Sequence, residues 1–134
     1  MGTAMNKQFL RAVVIESSEI DRAALSKLLG QLFFEVYSFE NGAEALEALN
    51  GDLEDVDLIV CAEKLPILDG FSLLTLLKSD HRFDRTRFVL TTNVLDELTE
   101  AKGRHLGVDG LIPKPVGVEA LKARVSVFFW SKTP

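Results

Sequence analysis

Residues 12–15, Ala-Val-Val-Ile, decide the fold of this chain. They form an apolar, largely β-branched run without a polar interruption, which is typical of a strand that is buried on both faces. Ser18, with Asp21 three positions later, has the pattern of a helix cap, and apolar residues follow it at helical spacing. A buried strand that leads directly into an amphipathic helix predicts one unit of a parallel sheet covered by helices.

The same strand–helix unit recurs along the rest of the sequence. Connections between the units are short, and no repeat, low-complexity tract or linker interrupts them. Because crossovers between parallel strands are right-handed, the pattern predicts a doubly wound α/β fold with five strands and five helices. After the first unit, strands are predicted at residues 33–39, 56–61, 87–92 and 110–112, and helices at 43–49, 70–79, 95–106 and 117–130.

The composition excludes several functional classes. The chain has 134 residues, which fits one domain, and its net charge of −5 argues against a general affinity for nucleic acid. Cys61 is the sole cysteine, which excludes an intrachain disulfide or a cysteine-rich zinc site and fits a reducing cytoplasm. No apolar run approaches the roughly 18 residues of a membrane span, and no signal-peptide pattern is present. We therefore expect a cytoplasmic domain that binds neither nucleic acid nor membrane.

The predicted fold also indicates where a site should lie. In doubly wound sheets, ligands gather outside the carboxyl ends of the strands. The residue pairs that follow four of the predicted strands are Glu16-Ser17, Ala62-Glu63, Thr92-Asn93 and Lys114-Pro115.

Four segments of the chain resemble the receiver domains of bacterial response regulators. They occur in the order and spacing of that family, and together they make the resemblance specific. The resemblance implies a flavodoxin-like three-layer sandwich with the strand order 2-1-3-4-5. The segments are residues 40–46 (Glu-Asn-Gly-Ala-Glu-Ala-Leu), 56–62 (Val-Asp-Leu-Ile-Val-Cys-Ala), 65–70 (Leu-Pro-Ile-Leu-Asp-Gly) and 107–115 (Gly-Val-Asp-Gly-Leu-Ile-Pro-Lys-Pro).

The resemblance runs from about Arg11 to Phe129 and sets the expected domain boundaries. We assign residues 11–130 to a receiver-like domain and residues 1–10 to an N-terminal tail. Part of that tail, Met1 to Met5, is interpreted as residues added by cloning ahead of a native start. Residues 131–134 are assigned to a C-terminal tail or to the start of a linker.

The resemblance implies a phosphorylation site that this sequence has partly lost. Receivers carry two acidic residues after strand one, a phosphate-accepting aspartate at the end of strand three, a Ser or Thr ending strand four and a lysine after strand five. A magnesium ion held by the carboxylates neutralises the charge of the phosphoryl group. On this chain the acidic pair falls on Glu16 and Ser17, the acceptor on Ala62, the hydroxyl on Thr92 and the lysine on Lys114.

Ala62 is the decisive departure, because a methyl group cannot act as a nucleophile. Each lost carboxylate also removes an attraction to a cation on the order of 4 kcal/mol at about 4 Å and an effective dielectric constant near 20. We therefore predict a degenerate site with no catalytic residue, no metal and no cofactor.

Four residues near the degenerate site keep alternative interpretations. Glu63 could be proposed as a replacement acceptor, but side chains alternate between the faces of a strand, which directs it away from Lys114. Glu16 and Lys114 are predicted either to form an ion pair in place of the metal or to be separately solvated. Thr92 is either a remnant of the site or an ordinary strand residue.

A partner interface is expected near the end of the chain. In the family, the face formed by helix four, strand five and helix five commonly mediates dimers and partner contacts. Leu111 stands where receivers usually carry an aromatic switch residue, and the three consecutive aromatics ending at Trp130 cannot all face inward on one helix. We predict an interface that includes Leu111, Phe129 and Trp130, with a second copy, another protein or a fused effector domain as the partner.

Three functions compete for this sequence. The favoured hypothesis is a pseudo-receiver, a phosphorylation-independent protein–protein interaction module in signal transduction that is not an enzyme. The alternative is an atypical switch that is phosphorylated on another residue or binds a small ligand at the carboxyl ends of the strands. An enzyme on the same fold, such as a flavodoxin-like redox protein, is disfavoured because no loop carries a phosphate-binding glycine run.

Overall fold

Five parallel strands form a single sheet in the order β2-β1-β3-β4-β5. The structure is a computed structural model that describes residues 9–130. Both the predicted fold class and the predicted strand order are confirmed. The strands are β1 (Arg11–Ile15), β2 (Glu35–Phe39), β3 (Leu58–Ala62), β4 (Arg87–Thr92) and β5 (Gly110–Pro113). The helices are α1 (Glu19–Gln31), α2 (Gly42–Asn50), α3 (Gly70–Lys78), α4 (Glu97–Leu106) and α5 (Val118–Val125).

The sheet separates two apolar layers, which we name after the helices that cover them. Val13 and Ile15 pack in the α3 layer, beneath α2, α3 and α4. Ala12 and Val14 pack in the α1 layer, beneath α1 and α5. All four side chains are fully buried, so alternation of side chains along β1 fills both layers. This explains why residues 12–15 are uniformly apolar.

Side-chain hydrogen bonds cap the starts of α1 and α3. The Asp21 amide donates to Ser18 Oγ at 3.3 Å, which confirms the predicted cap of α1. The Ser72 amide donates to Asp69 Oδ1 at 2.9 Å at the start of α3. These bonds satisfy amides that lack a partner inside the helix.

The predicted second strand starts two residues too early. Residues 33–39 were predicted as strand, but β2 begins at Glu35. Phe33 has a φ of 69°, in the left-handed region, which turns the chain after α1. The Phe34 amide then donates to Leu29 O at 3.1 Å and is not available to the sheet. The aromatic pair therefore forms the turn between α1 and β2.

The predicted last helix changes from α-helical to π-helical near its C-terminal end. Residues 117–130 were predicted as one helix, whereas α5 ends at Val125 and Ser126–Trp130 forms a π-helical turn. A π turn has i→i+5 hydrogen bonds and inserts a residue relative to an α-helix. The directions of the three terminal aromatic side chains therefore could not be obtained from an α-helical repeat.

The predicted tails lie outside the described residues except for Phe9 and Leu10. Leu10 packs against the α1 layer, and its carbonyl accepts a 2.8 Å hydrogen bond from the Glu35 amide. The folded domain therefore includes Leu10, one residue before the predicted boundary. Within residues 9–130, no helix is both long and apolar enough to span a membrane.

The start of α3 lies against the end of β3 at a distance that requires glycine. A Cβ atom on Gly70 would lie 2.4 Å from the Ala62 carbonyl oxygen and 2.7 Å from Leu90 Cδ1. The Gly70 amide also donates to Glu63 O at 3.0 Å, so the helix cannot shift without breaking this bond. Gly30, in the last turn of α1, has open space around its Cα.

We predict that Gly70→Ala destabilises the domain by about 2–3 kcal/mol, because overpacking forces backbone shifts. Gly30→Ala serves as the control and is expected to stabilise it by about 0.5–1 kcal/mol, because alanine favours the helix. Urea unfolding of both variants gives the two free energies. Equal stabilities for the two variants would contradict the close approach at Gly70.

Candidate functional site

The ends of β1 and β5 hold an acidic and a basic side chain at the same edge of the sheet. Glu16 follows β1, and its amide donates to Phe39 O at 3.0 Å while its Oε2 accepts from the Ser18 amide at 2.9 Å. Lys114 follows β5, and its amide donates to Thr92 O at 2.7 Å. The Lys114–Pro115 peptide bond is cis. These backbone hydrogen bonds position both residues so that their side chains can meet.

The Lys114 ammonium lies 2.5 Å from Glu16 Oε1. The Glu16 side chain is 2% exposed and that of Lys114 19%, so the pair is largely withdrawn from water. Oε1 is buried and accepts no well-directed hydrogen bond from any described residue, which makes the ammonium its charge partner. The predicted ion pair is confirmed, and the alternative of two separately solvated side chains is wrong.

Ala62 is the last residue of β3 and has no reactive group in its side chain. It is 1% exposed and pairs with Thr91 in the sheet. The neighbouring thiol, Cys61, points into the α3 layer. Burial raises the pKa of the Cys61 thiol, so the residue stays protonated and acts as a small apolar side chain. The position that the resemblance assigns to the phosphate acceptor therefore carries only a methyl group.

Glu63 forms a contact that the sequence reasoning missed. Thr92 Oγ1 lies 2.6 Å from Glu63 Oε1 and donates to it, and it also accepts from the Val94 amide at 3.2 Å. Thr92 is therefore part of a polar network and more than an ordinary strand residue. Strand alternation could have revealed this contact, because Glu63 and Thr92 both follow the side of their strands that faces the α3 layer.

The polar residues at the strand ends thus fall into two groups. Glu16 and Lys114 form one, and Glu63 and Thr92 form the other. Glu63 is directed to Thr92 rather than to Lys114, as the alternation predicted. The side chain of Ser17, the second position of the expected acidic pair, is exposed and has no carboxylate to offer to either group.

The residues at this edge do not fit magnesium. Magnesium prefers oxygen ligands in an octahedral arrangement, usually with carboxylates among them. Of the three expected carboxylate positions, Glu16 alone is acidic, and its charge is already balanced by Lys114. Among residues 9–130, no three His, Cys, Asp or Glu side chains are grouped to hold a metal ion.

The residues of the predicted partner interface pack on both sides of the sheet. Leu111 is partly buried and packs against the α3 layer, whereas Phe129 packs against the α1 layer. The Trp130 ring lies 6.1 Å from the Phe34 ring and the Phe129 ring 5.7 Å from it. Leu111 and Phe129 therefore lie on opposite sides of the sheet, and an interface that contains both would have to cross its edge at β5. The grouping of Leu111 with Phe129 and Trp130 stays a prediction. Trp130 is 48% exposed, as expected for at least one of the three aromatics.

Comparison with known proteins identifies the family. Residues 12–126 match the family described as the response regulator receiver domain. The chain belongs to this family. It is a receiver domain of two-component signal transduction, and receiver domains act through partner proteins or fused effector domains.

Individual relatives show similarity at low identity. The chain is 33% identical over 113 residues to hybrid signal transduction histidine kinase D of Dictyostelium discoideum, covering 84% of this chain and 7% of the kinase. It is 25% identical over 119 residues to chemotaxis protein CheY1 of Helicobacter pylori, covering 88% of this chain and 95% of that protein.

A solved structure of an activated receiver has the same fold. The BeF3-activated DrrB receiver domain superposes with a TM-score of 0.81 at 26% identity, covering 92% of this chain and all of the other. Several curated relatives are much longer, since the chain spans 5% of hybrid kinase A of Dictyostelium and 46% of the transcriptional regulatory protein GltR of Pseudomonas aeruginosa.

We predict that Lys114→Met destabilises the receiver domain by about 2–3 kcal/mol, because it leaves the Glu16 carboxylate buried without a counter-charge. The double variant Glu16→Gln/Lys114→Met should recover to within about 1 kcal/mol of the parent, since no charge then remains buried. Urea unfolding of the parent, both single variants and the double variant measures the coupling.

Lys122→Met is the matched control for that cycle. Lys122 pairs with Glu119 at 4.0 Å, and both side chains are exposed. Loss of an exposed pair is expected to cost less than about 0.5 kcal/mol. A Lys114→Met cost no larger than that of the control would show that the Glu16 pair is not a structural element.

Proposed function

We propose that this receiver domain is a pseudo-receiver that acts through protein–protein contacts without being phosphorylated. The single observation that carries the proposal is the methyl side chain of Ala62 at the end of β3. Phosphoryl transfer to a receiver requires a nucleophilic carboxylate at that position. The proposed pseudo-receiver has no enzymatic activity. We also propose a cytoplasmic location, which the buried free thiol of Cys61 supports.

The Glu16–Lys114 ion pair gives this proposal a second support. Binding of a divalent cation at Glu16 would have to displace the ammonium from a carboxylate that is 2% exposed. The displaced Lys114 would then lose its partner in a largely desolvated place, which is costly. The ion pair therefore opposes metal binding, and the missing carboxylates weaken it further.

We predict that magnesium followed by beryllofluoride, a mimic of the aspartyl phosphate, causes no specific shifts in the nitrogen–proton NMR spectrum of the labelled chain. The physical reason is that neither the acceptor carboxylate nor a set of metal ligands is present. Saturable shifts around Thr92, Leu111 and Lys114 would mean that a working acceptor exists elsewhere.

A restored variant provides the control for this titration. Ser17→Asp/Ala62→Asp supplies both missing carboxylates and is expected to respond to magnesium and beryllofluoride, whereas Ser17→Asp alone is not. If the double variant also fails to respond, its unfolding curve shows whether the strand ends remain intact. An intact but silent double variant would mean that the Glu16–Lys114 pair, and not the missing acceptor, prevents activation.

The face of α4, β5 and α5 remains the proposed partner surface, and exposed apolar residues lie at and just before the start of α4. Val94, Leu95 and Leu98 are exposed by 60%, 41% and 79% at the start of α4. Apolar side chains grouped on a surface favour an interface. We propose that they contact a second copy of the domain, another protein or a fused effector domain.

We predict that Leu98→Asp weakens self-association of the chain at least tenfold, because a charge at the centre of an apolar contact costs more than about 1.4 kcal/mol. Ile20→Asp is the control, since Ile20 is similarly exposed, at 82%, but lies on α1. Sedimentation velocity over a range of concentrations measures both. Unchanged association for Leu98→Asp would exclude this face as the dimer contact.

Small-ligand binding at the strand ends is the second candidate, and one observation favours it. A cleft of about 610 Å³ opens beside the Glu16–Lys114 pair, and this volume lies within the usual range of ligand sites, roughly 300–1,000 Å³.

A further inference from the structure

The sheet has an open edge at β2. This strand stands at the end of the sheet order and pairs with β1, and no other strand among residues 9–130 pairs with it. The Glu35 amide donates to Leu10 O at 2.8 Å, on the β1 side. Because backbone groups alternate in direction along a strand, those of Val36 and Ser38 point away from the sheet. An open edge of this kind can pair with a further strand.

A groove of about 620 Å³ lies along this edge, between β2 and α2. Two half-buried rings, Tyr37 and Phe39, line it and also pack against the α3 layer. The Tyr37 hydroxyl donates to Glu35 Oε1 at 2.6 Å, which holds the ring in place. Glu47 and Asp52 line the groove as well, and both are exposed. Aromatic rings beside carboxylates suit a cation on an apolar stem, such as a lysine or arginine side chain.

The charge of the chain is concentrated at the same edge. Residues 35–57, which form β2, α2 and the loop to β3, hold eight of the 20 acidic residues and none of the 15 lysines and arginines. This segment therefore carries a charge of −8, whereas the rest of the chain carries +3 and the whole chain −5. A negative potential confined to one edge attracts a positively charged partner to that edge.

The base at the groove does not cancel this potential. Of the described residues that line the groove, Arg11 alone is basic. Its Nε donates to Glu35 Oε1 at 3.0 Å, and its Nη1 donates to Glu54 O at 2.8 Å. The guanidinium charge is thus already balanced by Glu35, and the other carboxylates, Glu47 and Asp52 among them, give the groove its negative potential.

We propose that the β2 edge binds an extended basic segment of a partner protein. The segment pairs with Val36 and Ser38 as a sixth strand and places lysine or arginine side chains in the groove, beside Tyr37 and Glu47. Backbone pairing supplies affinity, and the groove selects basic side chains. This inference goes beyond the pseudo-receiver proposal, because β2 lies at the opposite edge of the sheet from β5 and the segment contacts no residue of α4.

Charge also disfavours a second copy as the occupant. Two β2 edges placed side by side would bring together two segments that each carry −8. Like charges across an interface oppose association, whereas a basic strand gains attraction in the same place.

The test is a nitrogen–proton NMR titration of the labelled 134-residue chain with an acetylated and amidated heptapeptide. In this peptide arginine and valine alternate, with arginine at both ends. Saturable shifts are expected at Val36, Ser38, Ala48 and Asp52. The affinity is expected to fall by about threefold or more when sodium chloride is raised from about 50 to about 300 mM, because salt screens the attraction.

Two control peptides separate the contributions of charge and backbone. A peptide with glutamate in place of arginine is expected to bind at least about tenfold more weakly. An N-methylated version of the arginine peptide keeps the side chains and their charge but lacks amide hydrogens. It is expected to bind weaker by about fivefold or more, since it cannot donate to the edge of β2.

Two charge reversals in the chain provide a matched pair. Glu47→Lys changes an exposed side chain that lines the groove, and it should weaken binding of the arginine peptide by about tenfold. Glu100→Lys makes the same change in net charge at an exposed position of α4. It should leave the affinity within about twofold of the parent at about 150 mM salt, where the screening length is about 8 Å.

Several outcomes would overturn the inference. Equal binding of the N-methylated peptide would exclude strand addition, and equal losses in the two lysine variants would mean that net charge alone attracts the peptide. Shifts at Val36 and Ser38 that depend on protein concentration without peptide would mean that a second copy occupies the edge. The beryllofluoride and Leu98→Asp experiments probe other residues, so failure of the pseudo-receiver proposal can be recognised separately.

Discussion

Alternation of side chains along parallel strands that are buried on both faces is the constraint on which this structure depends. Each strand must supply apolar side chains to two layers at once, as β1 does with Val13 in the α3 layer and Val14 in the α1 layer. The same alternation continues one residue past the strands. It directs Glu63 towards Thr92, and it directs Glu16 towards Lys114 on the other side of the sheet. The division of polar residues at the strand ends thus follows from the way the core is packed.

This division has a chemical consequence. Each acidic side chain at the strand ends already has a partner within the chain, Lys114 for Glu16 and Thr92 for Glu63. A charge that is balanced internally has little to gain from an added cation, because the cation must compete with a partner that is already desolvated in place. The Glu16 carboxylate is therefore neutralised without a metal, whereas Thr92 donates a hydrogen bond to Glu63 but leaves its negative charge in place.

The comparisons place this chain in a family whose fold survives large sequence changes. At 26% identity the DrrB receiver still superposes with a TM-score of 0.81. Packing of two layers by residues of suitable size needs only an apolar pattern, so many sequences satisfy it. Phosphoryl transfer needs particular atoms at particular strand ends. Fold and chemistry can therefore separate, and in the proposed pseudo-receiver Ala62 is the position where they do.

The sequence by itself determined the fold class, the order of elements, the cap at Ser18 and the presence of alanine at position 62, where the resemblance implies a carboxylate. These features depend on local pattern or on the identity of one residue, and both can be read along the chain. The positions of Phe33 and of the π turn after Val125 were not predictable, because a single left-handed residue or one inserted residue alters direction without altering composition.

Only the tertiary structure decided which side chains meet. It brought Lys114 to Glu16 across two intervening strands, joined Glu63 to Thr92, and separated Leu111 from Trp130 by placing them on opposite sides of the sheet. It also opened the cleft between α1 and α5, which no local pattern indicates. Such contacts depend on the relative positions of elements that are far apart in the chain. Those positions are set only when the sheet and both helical layers pack together.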